Sequence, residues 1–220
     1  MCANFQPISG NQAKLFTSHQ LDFDFKEDVY PNYDTPLLFA NVDDEQMQWR
    51  QARFGMVPKW ADSLNITRYT YNARNETVHT KPSFRDAWLG SQFALIPVQT
   101  IFEPKYVDGQ VQRWGIQRAD QAPFTIAAIY QAAKIEGEII RSMSLLTINA
   151  DDHPFMSQFH KPDDEKRSIV VIAPEKHMDW LHCHHSQAHK FLQPMSDQFT
   201  AKLMLRQTGK LQTQQQNTLF

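Results

Sequence analysis

The second residue of the chain, Cys2, is the first candidate for chemistry. A small residue at this position usually permits removal of the initiator methionine, so the mature chain is predicted to begin with Cys2. Its α-amine, with an ordinary pKa of about 7.7–8.0, and its thiol, with one of about 8.5, would then be two nucleophiles a few bonds apart. Such a pair suits capture of an aldehyde, because the amine forms an imine and the sulfur closes a five-membered ring. The alternative is that Cys2 is an ordinary terminal residue.

Two further side chains have the chemistry of proton carriers. Glu103 follows an apolar segment that predicts a strand, and it sits among apolar residues. A carboxylate there is expected to be partly buried with a raised pKa, which suits general acid–base work, whereas the alternative is an exposed carboxylate at a sheet edge. His160 lies in the segment Phe159–Pro162. A single histidine can act as an acid or base near neutral pH, but it more often has a structural role.

An aromatic residue and two polar segments suit a nucleic-acid ligand. Trp60 follows a bend predicted by Gly55 and Pro58, and its ring beside basic residues could stack on an unpaired base. The alternative is that Trp60 is a core residue. The segments 71–77 and 83–85 are dense in amide, guanidinium and hydroxyl groups. An exposed turn would explain that density equally well.

The net charge of −2 excludes a uniformly basic nucleic-acid-binding protein, but the charge is unevenly distributed. Residues 19–48 hold eight acids against one lysine, while residues 50–90 hold seven bases against three acids. A basic segment within an acidic chain suggests phosphate contacts. The alternative is that these charges lie on solvated faces of strands and loops.

A histidine-rich tract, His182–His185 with His189, offers imidazole and thiol groups. On a helix, His182 and His185 would share a face, and so would His185 and His189, which is compatible with zinc. No distant cysteine pair or carboxylate accompanies the tract. We therefore predict a polar helix end and no metal site or cofactor.

The elements that must position these residues are mostly strands. Turns at Asp108-Gly109 and Glu136-Gly137 each separate two strand-like segments, which predicts two hairpins. Other strands are predicted at residues 37–40, 46–54, 93–98, 124–130 and 168–172. Short helices are predicted at residues 11–18, 82–89 and 174–183, and irregular structure at residues 61–79.

This pattern predicts an α+β fold: a single β-rich domain with a mostly antiparallel, barrel-like sheet and short flanking helices. We assign residues 1–206 to this domain and residues 207–220 to a mobile, Gln-rich tail. No apolar run approaches the ~18 residues of a membrane span, and no signal segment precedes the domain. The two cysteines, Cys2 and Cys183, form no disulfide framework, which is compatible with a reducing cytoplasm.

Taken in order, these segments resemble the SRAP family, the SOS-response-associated peptidase proteins that sense abasic sites. The resemblance runs from Met1 to about Leu181, and Asn72–Thr77 followed by Ser83–Arg85 is its most specific part. It also covers Met1-Cys2, the bend before Trp60, residues 95–103 and 146–150, and His160. The resemblance implies a β-rich domain that binds single-stranded DNA and crosslinks to an abasic site through Cys2.

The resemblance also implies roles for individual residues. The catalytic residues would be Cys2, Asn72, Glu103 and His160. The DNA-binding residues would be Trp60, Arg74, Arg85 and Thr147, with Arg74 on phosphate. The expected partner is single-stranded DNA with abasic sites, met by a monomer in the cytoplasm and at the nucleoid during repair, with no membrane involved.

The sequence departs from the family pattern at several positions. Asn4 stands where an arginine is usual, Ala61 where a second aromatic often follows Trp60, and Pro104 where an aromatic follows the site glutamate. The residues after His160, 161–167, replace the usual Asp-Arg-Met-Pro. Because most of these positions are expected to face DNA, the departures predict altered affinity or substrate detail rather than an altered fold.

The leading hypothesis is therefore an abasic-site crosslinking or lyase activity in the DNA damage response, through a thiazolidine formed by Cys2. One alternative is a thiol peptidase or self-processing enzyme in which Cys2 is the nucleophile and His160 its base. Another is a single-stranded DNA-binding module without chemistry. A peptidase should cleave other peptides, a crosslinker needs an aldehyde, and a binding module tolerates the loss of Cys2.

Overall fold

A computed structural model of the chain describes residues 2–41, 46–196 and 198–205, together with the backbone of residues 211–212. The strands in these ranges are β1 (Phe5–Pro7), β2 (Phe25–Lys26), β3 (Asp34–Ala40), β4 (Met47–Phe54), β5 (Asn72–Arg74), β6 (Phe93–Val107), β7 (Gln110–Arg118), β8 (Phe124–Ile135), β9 (Glu138–Asn149), β10 (Arg167–Ile169), β11 (Val171–Ile172), β12 (Phe199–Leu203) and β13 (Leu211–Gln212).

The helices of the described ranges are short. The α-helices are α1 (Arg85–Leu89) and α2 (His177–His182), and the 3₁₀ helices are Gly10–Leu15, Leu64–Arg68, Met156–Gln158, Pro174–Lys176 and His185–Phe191. None of the helices found in this part of the chain is long and apolar enough to cross a lipid bilayer.

Five strands close into a barrel in the order β3, β4, β9, β8 and β6, with β6 returning to β3. Four of the five pairings are antiparallel, and β4 runs parallel to β9. The other strands extend the sheet from this ring or pair at its margins, as β1 does with β6. The predicted α+β fold with a mostly antiparallel, barrel-like sheet is confirmed.

Alternate residues of β6 enter two different cores. Phe93 and Leu95 belong to a cluster that includes Trp180 of α2, while Ala94 and Ile96 belong to a second cluster with Cys2. Since successive side chains of a strand point to opposite faces, the two clusters lie on opposite sides of this sheet. Cys2 is therefore packed on the face away from α2.

Local turn chemistry explains the predicted hairpins. Asp108 and Gly109 have φ values of 50° and 76°, and the turn at Glu136 and Gly137 also has positive φ at both residues. Two-residue turns of this kind match the right-handed twist of the strands they join. Both hairpin predictions are confirmed, by β6–β7 and by β8–β9.

The expectation of irregular structure over residues 61–79 was wrong at β5. This three-residue strand pairs in parallel with β9, some 70 residues further along the chain. A short strand whose partner is remote has no local sequence signal. In the predicted tail, β13 pairs with β2, while residues 207–210 and 213–220 lie outside the described residues.

Candidate active site

Two hydrogen bonds on one edge of β6 bring candidate residues together. Phe102 N donates to Asn4 O at 2.9 Å, and His160 N donates to Pro104 O at 2.6 Å. Residues two apart on a strand direct their backbone groups to the same edge, so the N-terminal segment and His160 follow each other along it. Glu103 lies between these positions, and it is only 2% exposed.

Strand β5 brings an amide to the N-terminal segment. Asn72 Nδ2 donates to Cys2 O at 2.8 Å, and Cys2 is 1% exposed. The Cys2 thiol also interacts with the Glu103 carboxyl, whose Oε2 lies 3.5 Å from His160 Nδ1. The four residues predicted to be catalytic thus share one site. We call Cys2, Asn72, Glu103 and His160 the Cys2 pocket.

Asn4 anchors the N-terminal segment. Its Oδ1 accepts hydrogen bonds from Arg113 Nε and Nη2 at 3.0 and 2.9 Å, and its Nδ2 donates to Asp28 Oδ1 at 2.5 Å. Arg113 also pairs with Asp28 at 2.8 Å and lies 3.3 Å from the centre of the Phe102 ring. At this departure from the family pattern, Asn4 is therefore held by a guanidinium supplied from β7.

His160 has an unusual backbone conformation. Its φ of 64° lies in the left-handed region, which histidine adopts more readily than most residues but at a cost on the order of 1 kcal/mol. The fully buried Phe159, whose ring lies 5.5 Å from that of Phe155, fixes the preceding residue. The hydrogen bond from His160 N to Pro104 O holds His160 itself against β6. These contacts maintain a conformation that directs the imidazole toward Glu103.

Burial sets the protonation of the pocket. It raises the pKa of the Cys2 thiol, and the neighbouring Glu103 carboxylate raises it further. Burial also raises the pKa of Glu103 to about 7 and lowers the pKa of His160 to about 4. Near neutral pH the thiol and the imidazole are therefore uncharged. The Glu103–His160 contact joins a neutral imidazole to a carboxyl group that can gain or lose a proton at pH 7.

Two buried oxygens of the pocket have no hydrogen-bond partner among the described residues. They are Oδ1 of Asn72 and Oε2 of Glu103. Buried polar atoms are nearly always paired, and leaving one unpaired costs about 1–3 kcal/mol. Because Asn72 bonds the Cys2 carbonyl and Glu103 interacts with the Cys2 thiol, the unused hydrogen-bonding capacity lies on residues that contact Cys2. The pocket can thus receive a polar group.

A buried guanidinium links this region to the surface. Arg167 is 2% exposed, pairs with both oxygens of Glu76 at 3.0 and 2.8 Å, and pairs with Glu165 Oε1 at 2.8 Å. It also donates to Thr147 O at 2.8 Å. The other oxygen of Glu165 lies 2.7 Å from Arg74 Nη1. We call Arg167, Glu76 and Glu165 the Arg167 clamp.

The four residues predicted to bind DNA are placed differently. Trp60 is 59% exposed, with its Nε1 donating to Pro82 O at 3.4 Å, and Arg74 and Arg85 are exposed. Thr147 is fully buried beneath the Arg167 clamp. Its side chain therefore has no surface to offer to DNA in this conformation, and it acts on Arg167 instead.

Three features of the structure were not predicted from the sequence: the contacts of Arg113, the Arg167 clamp and the exposed ring of Tyr69. Tyr69 is 83% exposed and follows Arg68 in the basic segment. This is the same combination of aromatic and basic residues that singled out Trp60, so the signal was present. The pairs Arg113–Asp28 and Arg167–Glu76 join residues 85 and 91 positions apart, and they had no local signal.

The histidine-rich tract is not one continuous helix. α2 ends with Cys183 as its C-cap, and a 3₁₀ helix begins at His185, so the helical spacing assumed for a shared zinc face is interrupted. Across the residues that the structure describes, no group of three or more His, Cys, Asp or Glu side chains is arranged to hold a metal ion.

Together, these features define a β-barrel protein with a buried cysteine site at the start of the chain. Residues 2–210 match the model of the SOS response associated peptidase (SRAP) family, and the chain belongs to that family. The resemblance inferred from the sequence is confirmed.

Curated relatives support the same assignment. The abasic site processing protein YoaM of Bacillus subtilis (strain 168) is 28% identical over 188 residues, which cover 82% of this chain and 79% of YoaM. The abasic site processing protein YedK of Escherichia coli (strain K12) is 26% identical over 147 residues, which cover 67% of this chain and 61% of YedK.

Solved structures share the fold. A crystal structure of a protein from Bordetella bronchiseptica superposes with a TM-score of 0.86 at 28% identity, covering 93% of this chain and 100% of that one. A crystal structure of a protein from Bacteroides thetaiotaomicron superposes with a TM-score of 0.76 at 19% identity, covering 93% and 92% of the two chains. The second likeness concerns the fold alone.

Proposed function

We propose that this protein processes abasic sites in DNA by capturing them covalently through Cys2, in single-stranded DNA and in the cytoplasm. The observation that carries the proposal is the Cys2 pocket, in which a buried thiol near the start of the chain lies beside a buried carboxyl with a pKa of about 7. The relatives YoaM and YedK are both named for abasic-site processing, which supports the substrate class.

The proposed reaction uses the α-amine that removal of Met1 would free. The amine nitrogen attacks carbon 1′ of the ring-opened sugar, and loss of one water gives an imine. The Cys2 sulfur then attacks the same carbon, and the thiol proton passes to nitrogen as the C=N double bond becomes a single bond. The product is a thiazolidine and one water, so no oxidant or reductant is required.

The pocket residues have separate proposed roles. Glu103 carries protons, because its pKa of about 7 lets it accept the thiol proton and return it to nitrogen. His160 has a pKa of about 4, so we assign it a neutral hydrogen bond to the sugar oxygen rather than the role of a strong acid. Asn72 holds the Cys2 carbonyl and leaves its Oδ1 for the sugar hydroxyls.

The exposed residues would hold the strand. Arg74 follows Asn72 by two positions in β5, so its side chain leaves the strand on the same face and can contact a phosphate near the pocket. Trp60 offers an exposed ring for base stacking, and Arg85 adds a second cation after Pro82, which Trp60 contacts. Single strands suit this arrangement because their bases and the abasic sugar are accessible.

The thiol-peptidase alternative has less support. A peptidase of that kind works through a thiolate, which neighbouring cations favour. Here burial and Glu103 raise the pKa of the thiol, and burial keeps His160 neutral. This electrostatic setting favours a reaction in which the amine attacks first and the thiol second.

The direct test uses protein whose loss of Met1 has been verified by mass. Mixed with a single strand that holds one abasic site, it should form a species that survives denaturing electrophoresis, since ring closure consumes the hydrolysable imine. Cys2→Ala should abolish this species, although its α-amine could still give an imine that a borohydride traps.

Intact single strands and double-stranded DNA serve as controls and should give little adduct. Failure of the Met1-free protein to shift the abasic strand would reject the proposal. Cleavage of peptides other than its own start would then favour the peptidase. Strand binding that persists unchanged in Cys2→Ala, without any adduct from the wild type, would favour a binding module.

A further inference from the structure

Glu165 connects two arginines through its two carboxylate oxygens. Oε1 lies 2.8 Å from Arg167 Nη1, and Oε2 lies 2.7 Å from Arg74 Nη1. Arg167 is buried, while the side chains of Arg74 and Glu165 are partly exposed at 45% and 34%. The outer pair is therefore open to competition from a ligand in solution, whereas the inner pair is not.

Arg74 is the cation whose availability matters most for the proposed function. It shares a strand face with Asn72, whose amide holds Cys2, so a phosphate bound to Arg74 would place its strand at the pocket. In this structure Glu165 Oε2 contacts Nη1 of that guanidinium at 2.7 Å. A DNA phosphate at Arg74 would therefore compete with a carboxylate for the same charge.

Arg167 would keep its other contacts without the charge of Glu165. Arg167 keeps a two-oxygen pair with Glu76 and a hydrogen bond to Thr147 O. Burial raises the pKa of Glu76, but hydrogen bonds from Arg167 and from backbone N–H groups, together with the Arg167 charge, outweigh burial and lower it. A glutamine at position 165 would still accept the hydrogen bond from Arg167 while losing the charge that holds Arg74.

We propose that Glu165 competes with DNA phosphate for Arg74 and so weakens the binding of single strands. This inference rests on the function proposed above. Glu165 belongs to the segment in which this chain departs from its family pattern. The proposal predicts that neutralising this one carboxylate improves DNA binding, and that the gain depends on Arg74.

The test compares equilibrium binding of an intact single strand over a salt series. Glu165→Gln should bind about 2- to 5-fold more tightly near 0.1 M salt, the range that exposed ion pairs permit, and its salt slope should steepen by about 0.7. Asp120→Asn is the matched control, because it removes an acid from another exposed arginine pair, Arg118–Asp120, whose Nε–Oδ1 distance is 2.9 Å. Its affinity should not change.

A double variant isolates the pair. Arg74→Ala with Glu165→Gln should bind like Arg74→Ala alone, because the gain requires a free Arg74. Absence of tightening in Glu165→Gln, or equal tightening in the Arg74→Ala background or in Asp120→Asn, would overturn the proposal.

Crosslinking of the abasic strand at saturating DNA separates this proposal from the proposed function. Wild-type protein that crosslinks, with a Glu165→Gln variant that does not bind more tightly, rejects only the role of Glu165. Wild-type protein that fails to crosslink rejects the proposed function.

Discussion

The Cys2 pocket and the surface around Arg74 begin two residues apart on β5, yet opposite physical effects govern them. In the pocket, burial shifts the pKa values of Glu103 and His160, and Asn72 Oδ1 and Glu103 Oε2 find no hydrogen-bond partner within the described part of the chain. At the surface, Arg74 is exposed and its charge is matched by Glu165. Hydrogen-bonding atoms of the pocket are therefore available to a ligand, while the charge of Arg74 at the surface is already paired.

This difference separates two properties of the protein. Under the proposed function, reactivity would depend on burial, which a change on the surface hardly alters. Affinity would depend on exposed charges and rings, which can vary without disturbing the barrel. The departures from the family pattern at residues 161–167 include Glu165, so we expect them to alter affinity rather than reactivity.

The largest expected effect tests the pocket through Glu103→Gln. Crosslinking should slow by about 10²- to 10⁴-fold, the usual contribution of a positioned acid or base, while binding of an intact strand should change little. In the wild type the rate should rise with pH through about 7, as Glu103 loses its proton and can accept that of the thiol. The variant should lack this step.

Rate–pH profiles of the wild type, Glu103→Gln and the exposed control Glu138→Gln check this prediction. Titration of the α-amine remains in all three proteins, so the comparison isolates the carboxyl. An unchanged rate in Glu103→Gln would remove Glu103 from the chemistry.

A second effect of Glu103→Gln should be a gain in stability at high pH. Because the folded protein binds this proton more tightly than the unfolded chain, the wild type loses stability as pH rises from the ordinary pKa of 4.5 to the folded value of about 7, and the loss is complete above 7. This shift in the pKa of Glu103 corresponds to a loss of about 3 kcal/mol in the free energy of unfolding of the wild type. A glutamine does not titrate, so the variant avoids that loss.

Urea unfolding at pH 5 and pH 8 measures this gain. The advantage of Glu103→Gln over the wild type should be small at pH 5 and approach its full value at pH 8, while Glu138→Gln should differ little from the wild type at either pH. An advantage that does not grow with pH would contradict the burial of a titrating carboxyl.

A smaller effect is expected at the surface from Trp60→Ala. Loss of one stacking partner should weaken binding of an intact single strand by about 1–3 kcal/mol, with little change in the salt slope because no charge is removed. Tyr69→Ala is an informative companion, since Tyr69 is the more exposed ring. Salt-series titrations of both variants decide whether either ring contributes.

The distinction between reactivity and affinity would be supported if Trp60→Ala slows crosslinking only at DNA concentrations below saturation. Affinity would then be lost without loss of reactivity. A Trp60→Ala protein that binds normally but crosslinks slowly at saturating DNA would place the ring in the pocket's chemistry and blur the distinction.

Local features of this fold were predictable, and remote ones were not. The turns at Asp108-Gly109 and Glu136-Gly137 carry their own conformational signal within two residues. β5 could not be predicted, because three residues gain a strand conformation only from β9. The candidate site follows the same rule. Glu103 was identifiable from its apolar surroundings, whereas the pairing of Arg74 with Glu165 joins segments 91 positions apart in sequence.

The burial of Cys2 also constrains the order of events during synthesis. Once its carbonyl is bonded to Asn72 and the chain is docked on β6, Cys2 itself is buried. Both partners are made long after Cys2 has been synthesised. At about 5–20 residues per second, the chain out to Val107 takes on the order of 5–20 s to follow. An enzyme that must contact the Cys2 side chain to remove Met1 would have to act within that interval, so the proposed maturation of the nucleophile would be a co-translational event.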